Sequence, residues 1–215
     1  NFQKQDIMFS ETISYDTLRL IEKIRNRAWL SDYYLAGGTA LALHLGHRTS
    51  ADLDFFSESN IEGIAMVDHL RMAGDFRLVR LDEGTVVGNL DGVRISFFRY
   101  AYKLLDPWAD WNGIHVASVR DISLMKIVAV LQRGSVKDFI DLFFVAKKLM
   151  SIDTLIQELP NKYVGVQFST NHILRSLCYF DDADKEPMPN MISACSRQEV
   201  KDYFVKEVER LSNIL

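Results

Sequence analysis

Asp52-Leu53-Asp54-Phe55-Phe56 is the segment whose residue types and spacing speak most directly of chemistry. In a strand, residues two apart project to the same face, so Asp52 and Asp54 point together while Leu53 and Phe55 point away. Two neighbouring carboxylates repel unless one is protonated or a cation lies between them. A hard divalent ion, Mg²⁺ or Mn²⁺, is the natural neutraliser, because it takes oxygen ligands and keeps waters that a phosphate can replace. Asp is depleted in strands, and Leu53, Phe55 and Phe56 suit a buried strand, so a solvated edge strand fits less well.

Upstream, Gly37-Gly38-Thr39 separates a short β-type run from an apolar helical run. Glycines allow close backbone approach to a ligand, and the N–H groups that open a helix suit a phosphate. The Thr39 hydroxyl either meets a phosphate or caps the helix. A Gly-Gly turn alone carries little information. Its value lies in preceding the two aspartates by one helix and one loop.

The run from Leu35 to Leu43 (LAGGTALAL), continuing through Gly46-His47-Arg48-Thr49-Ser50 to Asp52–Phe56, resembles the AbiEii/AbiGii toxin family of nucleotidyltransferases, within the DNA polymerase β-like superfamily. Lys126 and the segment Lys137–Leu142 (KDFIDL) look like that family's downstream Lys and Asp motifs. The resemblance implies that Asp52 and Asp54 bind the metals that hold an NTP, with Gly37, Gly38 and Thr39 on its phosphates. Arg48 would contact a phosphate or anchor its loop. Lys126, Asp138 and Asp141 would complete the catalytic set from the helical half. Each of these three residues also suits a purely structural role. Asp138 lies three residues after Ser135, a capping-box spacing. Asp141 lies four after Lys137, as in a surface ion pair. Lys126 sits among apolar residues from which it could snorkel. The strand Val93–Phe98 lacks the third carboxylate of many superfamily members and carries Ser96 in its place.

The elements that must position these residues follow from periodicity. Glu11–Leu30 reads as an amphipathic helix, Tyr33–Ala36 as a strand and Thr39–Gly46 as a helix. Asp52–Phe56 reads as a strand, Glu62–Ala73 as a helix and Phe76–Leu81 as a strand. Val86–Leu90 and Val93–Phe98 flank Asp91-Gly92, a strong hairpin signal. From Ser118 the pattern is helical, with Ser118 and Asp121 spaced as a capping box. Helices are expected at Ser135–Met150, Thr154–Leu159, Thr170–Cys178 and Ser196–Leu215. The last carries the stripe Val200, Phe204, Val208, Leu211 and Leu215, and Tyr179–Asn190 is a loop. The expected class is α+β: a nucleotidyltransferase-like mixed sheet with packed helices over 1–105, then a helical part over 106–215 packed on it as one unit.

Composition sets the outer bounds. The formal charge of −4 argues against nucleic-acid binding by bulk charge, though not against a local groove built from Lys126, Arg133, Lys137, Lys147 and Lys148. Hydrophobic residues at 48% fit an ordinary globular chain. No apolar run approaches the length of a membrane span, Asn1–Asp6 is too polar for a signal peptide, and Cys178 and Cys195 suit a reduced pair, so the cytoplasm is the expected location. The expected activity is metal-dependent transfer of NMP from an NTP to RNA, tRNA for example, by the toxin of a toxin–antitoxin or phage-defence pair, with a cognate antitoxin as partner. A small hydroxylated acceptor, or a binding module that lost catalysis, are the alternatives.

Overall fold

Residues 8–214 are described by the computed structural model, and the first helical stretch is shorter there than its periodicity suggests. Helix α1 runs over Tyr15–Ile24, where the Ser14 hydroxyl accepts the Thr17 N–H, and it buries Leu20, Ile21 and Ile24. It stops because Asn26 takes a left-handed conformation (φ 59°) and its N–H reaches the Gly113 carbonyl instead of continuing the helix. A 3₁₀ turn at Ala28–Leu30 leads into strand β1, Tyr34–Ala36.

Helix α2 spans Gly37–Leu45 and ends at Gly46, whose φ of 64° is the usual left-handed stop. Both glycines therefore belong to its first turn. Strand β2 (Leu53–Ser57), helix α3 (Gly63–Ala73) and strands β3 (Phe76–Asp82), β4 (Thr85–Leu90) and β5 (Val93–Arg99) follow. Asp91 and Gly92 both have positive φ, as the tight hairpin between β4 and β5 demands.

Two further strands lie in a segment where periodicity suggests none. β6 (Ala109–Trp111) and β7 (Ile114–Val116) form a hairpin over Asn112-Gly113, with φ of 48° and 78°. That Asn-Gly pair has the same turn chemistry as Asp91-Gly92, and it is the signal that marks this hairpin in the sequence. The segment expected to begin the helical part at 106 thus contributes to the sheet, and the first unit of the chain extends to Ser118.

The strand order is β3-β4-β5-β2-β1-β7-β6. β2 lies parallel to β5 and antiparallel to β1, and β1 is parallel to β7. On one face Leu35, Leu53, Phe55, Ile95, Phe97 and Val116 are wholly buried. Trp29 and Tyr33 meet Phe97 edge-on at 6.1 and 5.2 Å, and Trp29 stacks on His69 of α3 at 5.8 Å. The other face carries Tyr34, Asp54, Phe56, Ser96 and Phe98.

The second unit, from Val119 onward, is helical: α4 (Val119–Gln132), α5 (Val136–Lys148), α6 (Ile152–Lys162), α7 (Thr170–Leu177) and α8 (Arg197–Leu211). Ser151, Ser169 and Ser196 cap the last three by accepting a backbone N–H each. Phe139 of α5 packs against Phe180 at 5.0 Å and Phe204 of α8 at 5.4 Å. In the stripe of α8, Val200, Phe204 and Leu211 are buried and Val208 half-buried, while Leu215, like Asn1–Asp6, lies outside the described residues. Fold class agrees with the expectation: a mixed sheet with packed helices, then a helical half. Among the described residues no helix is long and apolar enough to cross a membrane.

Candidate active site

β2 enters the middle of the sheet and delivers Asp54 to the face opposite the Phe55–Phe97 core. Its register neighbours are Ala36 on β1 and Ser96 on β5. Ser96 is buried, on the face that alternation gives it, and the β2–β5 register sets it beside Asp54. Asp52 differs from expectation in one respect. The strand begins at Leu53, so Asp52 is an exposed residue leading into it, not part of the ladder.

The start of α2 lies against this carboxylate. A Cβ on Gly37, which has φ 70°, would stand 3.4 Å from Asp54 Oδ2. Any side chain there would be conformationally strained, with its Cβ in contact with the carboxylate. Ala36 is the N-cap and has no side-chain oxygen to cap the helix. The N-terminal end of α2, with its partial positive charge, therefore adjoins Asp54.

Thr39 and Arg48 sit deeper than a direct phosphate role would place them. Thr39 is buried; its hydroxyl donates to the Asp52 carbonyl and lies 2.8 Å from Ser50 Oγ. It ties the first turn of α2 to the chain just ahead of β2. Ser50, not singled out from the sequence, is the third member of this tie. Arg48 is only 2% exposed, and its Nη1 donates to the Thr49 carbonyl at 3.1 Å. A Cβ on Gly38 would collide with Arg48 Nη2, so glycine here makes room for a buried guanidinium rather than for a ligand alone. His44, whose spacing offers no metal-ligand partner, shares a hydrogen bond with the Ala117 carbonyl at 2.8 Å, and His47 is fully buried.

Within the second unit, the three downstream residues come together. Lys126 Nζ of α4 lies 2.8 Å from Asp138 Oδ1 and 2.7 Å from Asp141 Oδ2, both on α5, with side-chain exposures of 7%, 0% and 0%. Arg133 Nε and Ser135 Oγ each donate to Asp138 Oδ2 at 3.0 Å. Burial alone pushes the Asp138 carboxyl up, but the Lys126 ammonium and the Arg133 guanidinium outweigh it and hold it below the usual carboxylate range.

Several simpler expectations are corrected by this cluster. Lys126 does not snorkel: it ends on two buried carboxylates. Asp141 pairs with Lys126 across helices rather than along the surface with Lys137. Ser135 makes no capping bond to the backbone, because its hydroxyl is turned to the Asp138 carboxylate. Asp121, three residues after Ser118, also serves a tertiary pair: it is buried and takes Lys162 Nζ at 2.7 Å. A basic groove loses Lys126, which is buried on Asp138 and Asp141, while Arg133 stays 67% exposed although its Nε is held by Asp138.

Residues 19–103 match the family described as nucleotidyl transferase AbiEii toxin, type IV TA system. An uncharacterised protein of Aquifex aeolicus is 36% identical, the match covering 86% of this chain and 94% of that one. Among solved structures, JHP933 from Helicobacter pylori aligns over 94% of this chain and 97% of its own at 14% identity and TM-score 0.46. A second H. pylori structure aligns over 93% and 95% at 16% identity and TM-score 0.48. The matched segment holds Gly37, Gly38, Thr39, Asp52 and Asp54, and through it this chain belongs to the AbiEii nucleotidyl transferase toxin family and is a nucleotidyltransferase.

Proposed function

We propose that the protein moves NMP from an NTP to an RNA acceptor, tRNA for example, with a divalent cation, as the toxin of a toxin–antitoxin or phage-defence pair acting in the cytoplasm alongside a cognate antitoxin. The observation that carries this reading is the Asp54 carboxylate set against Gly37 at the uncapped start of α2. Negative phosphate and a cation-binding carboxylate are thereby offered adjoining places.

Asp52 and Asp54 are hard oxygen donors, which suits Mg²⁺ or Mn²⁺. Among the described residues no group of three or more His, Cys, Asp or Glu gathers to enclose an ion, so water and the triphosphate must supply the other oxygens. That fits a cation that arrives with its nucleotide. When bound, such an ion stabilises the attacking and leaving oxygens of an in-line displacement. The N–H groups of Gly38 and the residues after it orient the phosphates. Thr39 fixes the Asp52 backbone, and Arg48 supports the glycine turn from beneath. Lys126, Asp138 and Asp141 are assigned a framework role, locking α4 to α5, since the lysine ammonium is held by two carboxylates.

In the reaction, an acceptor hydroxyl oxygen bonds the α-phosphorus, its proton leaves to solvent, and the bond to the leaving pyrophosphate breaks. Ser96 cannot take the acceptor's proton as a carboxylate would. That residue favours a second reading, a nucleotide-binding module of the same fold without turnover.

Incubation with each labelled NTP, Mg²⁺ and total RNA separates these readings. Label entering RNA, with growth arrest on expression, supports the toxin; label on a small hydroxylated molecule moves the acceptor. NTP binding without pyrophosphate release identifies the module.

A further inference from the structure

The face of the sheet that carries Asp54 also carries a row of rings that the transfer chemistry does not use. Tyr34 pairs in register with His115 on β7 and Phe56 on β2, and Phe56 pairs with Phe98 on β5. Paired residues share a face, so four aromatic side chains cross four adjacent strands on the Asp54 side. Their centroids are close: 6.2 Å from Tyr34 to Phe56 and 5.3 Å from Phe56 to Phe98. Trp108 extends the row, stacked on His115 at 4.4 Å and 6.4 Å from Tyr34, and it is 41% exposed. Tyr100 stands edge-on to Phe56 at 5.6 Å.

The His115 ring is held in place by Asp110, whose Oδ1 lies 2.7 Å from Nδ1. A carboxylate only accepts, so Nδ1 carries the proton and Nε2 is the acceptor of the neutral ring.

We propose that the accessible rings of this row, His115, Phe56 and Phe98 with Trp108 at the open end and the buried Tyr34 linking them, seat the nucleobase of the NTP whose phosphates lie at Asp54 and the start of α2. The inference rests on the nucleotidyltransferase reading. Phe56 is two residues from Asp54 on the same face, about 7 Å along the strand, so the row begins roughly one sugar's length from the carboxylate. Phe56, Phe98 and His115 are half-buried and Trp108 is exposed, while Tyr34, at 2% exposure, only backs its neighbours. Accessible rings on a sheet face beside a charged site are suited to a planar π-system, because stacking on aromatics binds any base. Stacking itself does not discriminate strongly between bases, and the seat should accept purines and pyrimidines alike, with purines bound more tightly for their larger face.

The test compares Mg²⁺-NTP with Mg²⁺-tripolyphosphate, which has the charge and lacks the base, by calorimetry on the full chain. The wild type should bind NTP at least about tenfold more tightly. Trp108→Leu should weaken NTP about tenfold, leave tripolyphosphate unchanged, and be rescued by Trp108→Phe. Phe98→Leu repeats the measurement from β5 if Trp108→Leu alters the melt. Equal affinities for NTP and tripolyphosphate, or NTP binding indifferent to both leucine variants, overturn the seat and leave the nucleotidyltransferase reading standing. A loss confined to RNA oligonucleotides would also overturn it, by assigning the rings to the acceptor. Binding of neither NTP nor tripolyphosphate would overturn the nucleotidyltransferase reading and the seat together.

Discussion

Replacing Lys126 with methionine removes the ammonium from a cluster in which two cations, Lys126 and Arg133, face two carboxylates, Asp138 and Asp141. Methionine keeps much of the length and apolar bulk, so the change isolates charge. Both carboxylates are completely buried, and after the substitution Asp141 loses a partner 2.7 Å away. Leaving one buried charge uncompensated costs roughly 3–5 kcal/mol. Asp138 keeps Arg133 and Ser135, so the penalty should fall mainly on Asp141. Against a typical stability of about 5–15 kcal/mol this is a large fraction, readable by urea denaturation. The companion Lys126→Met/Asp141→Leu removes one charge of each sign and should recover most of the loss. A cycle through Lys126→Met and Asp141→Leu should therefore show coupling of about 2–3 kcal/mol. Additive losses would refute the argument, because they would mean the two groups do not compensate each other. The folded double variant then asks about function: retained transfer of NMP confines Lys126 to the framework, and transfer lost without loss of fold gives it a part in catalysis.

Asp54→Asn should abolish transfer with little change in melting temperature, since it is nearly isosteric and removes one negative charge beside the Asp52 entry; activity retained with a large fall in Tm would make Asp54 structural. Asp138 gives a pH dependence of stability. Its folded pKa lies below its ordinary value of 3.8, so its contribution is complete above that value and is lost as pH falls through the depressed one. Urea midpoints should therefore drop below about pH 4, and Asp138→Asn, less stable near neutrality, should show a shallower acid fall; parallel curves would remove Asp138 as a cause. Gly38→Ala should cost about 1–3 kcal/mol, because its Cβ displaces the buried Arg48 guanidinium. A thermal melt within a degree of wild type would show that Arg48 has room to move.

Local rules acting along the chain settle the identity and order of most elements, while the contact of Gly37 with Asp54 follows from the pairing of β1 with β2. Alternation fixes which strand residues share a face, glycine permits the left-handed turn, and apolar periodicity marks helices. Alternation gives Ser96 its face, and the β2–β5 pairing sets it beside Asp54. Such rules fail where one local signal has more than one use. Ser135–Asp138 has capping spacing, but its carboxylate is claimed by Lys126 with Arg133, just as Asp121 is claimed by Lys162, partners whose positions only packing reveals. Periodicity overstates α1 because the turn at Asn26 depends on a hydrogen bond to Gly113, far along the chain. Thr39 and Arg48 are legible as belonging near the glycine turn, but not as buried supports, since burial follows from what is folded over them. The aromatic row on the Asp54 face is a product of packing alone. Its rings come from four strands distant in sequence, and only the order β5-β2-β1-β7 sets them side by side.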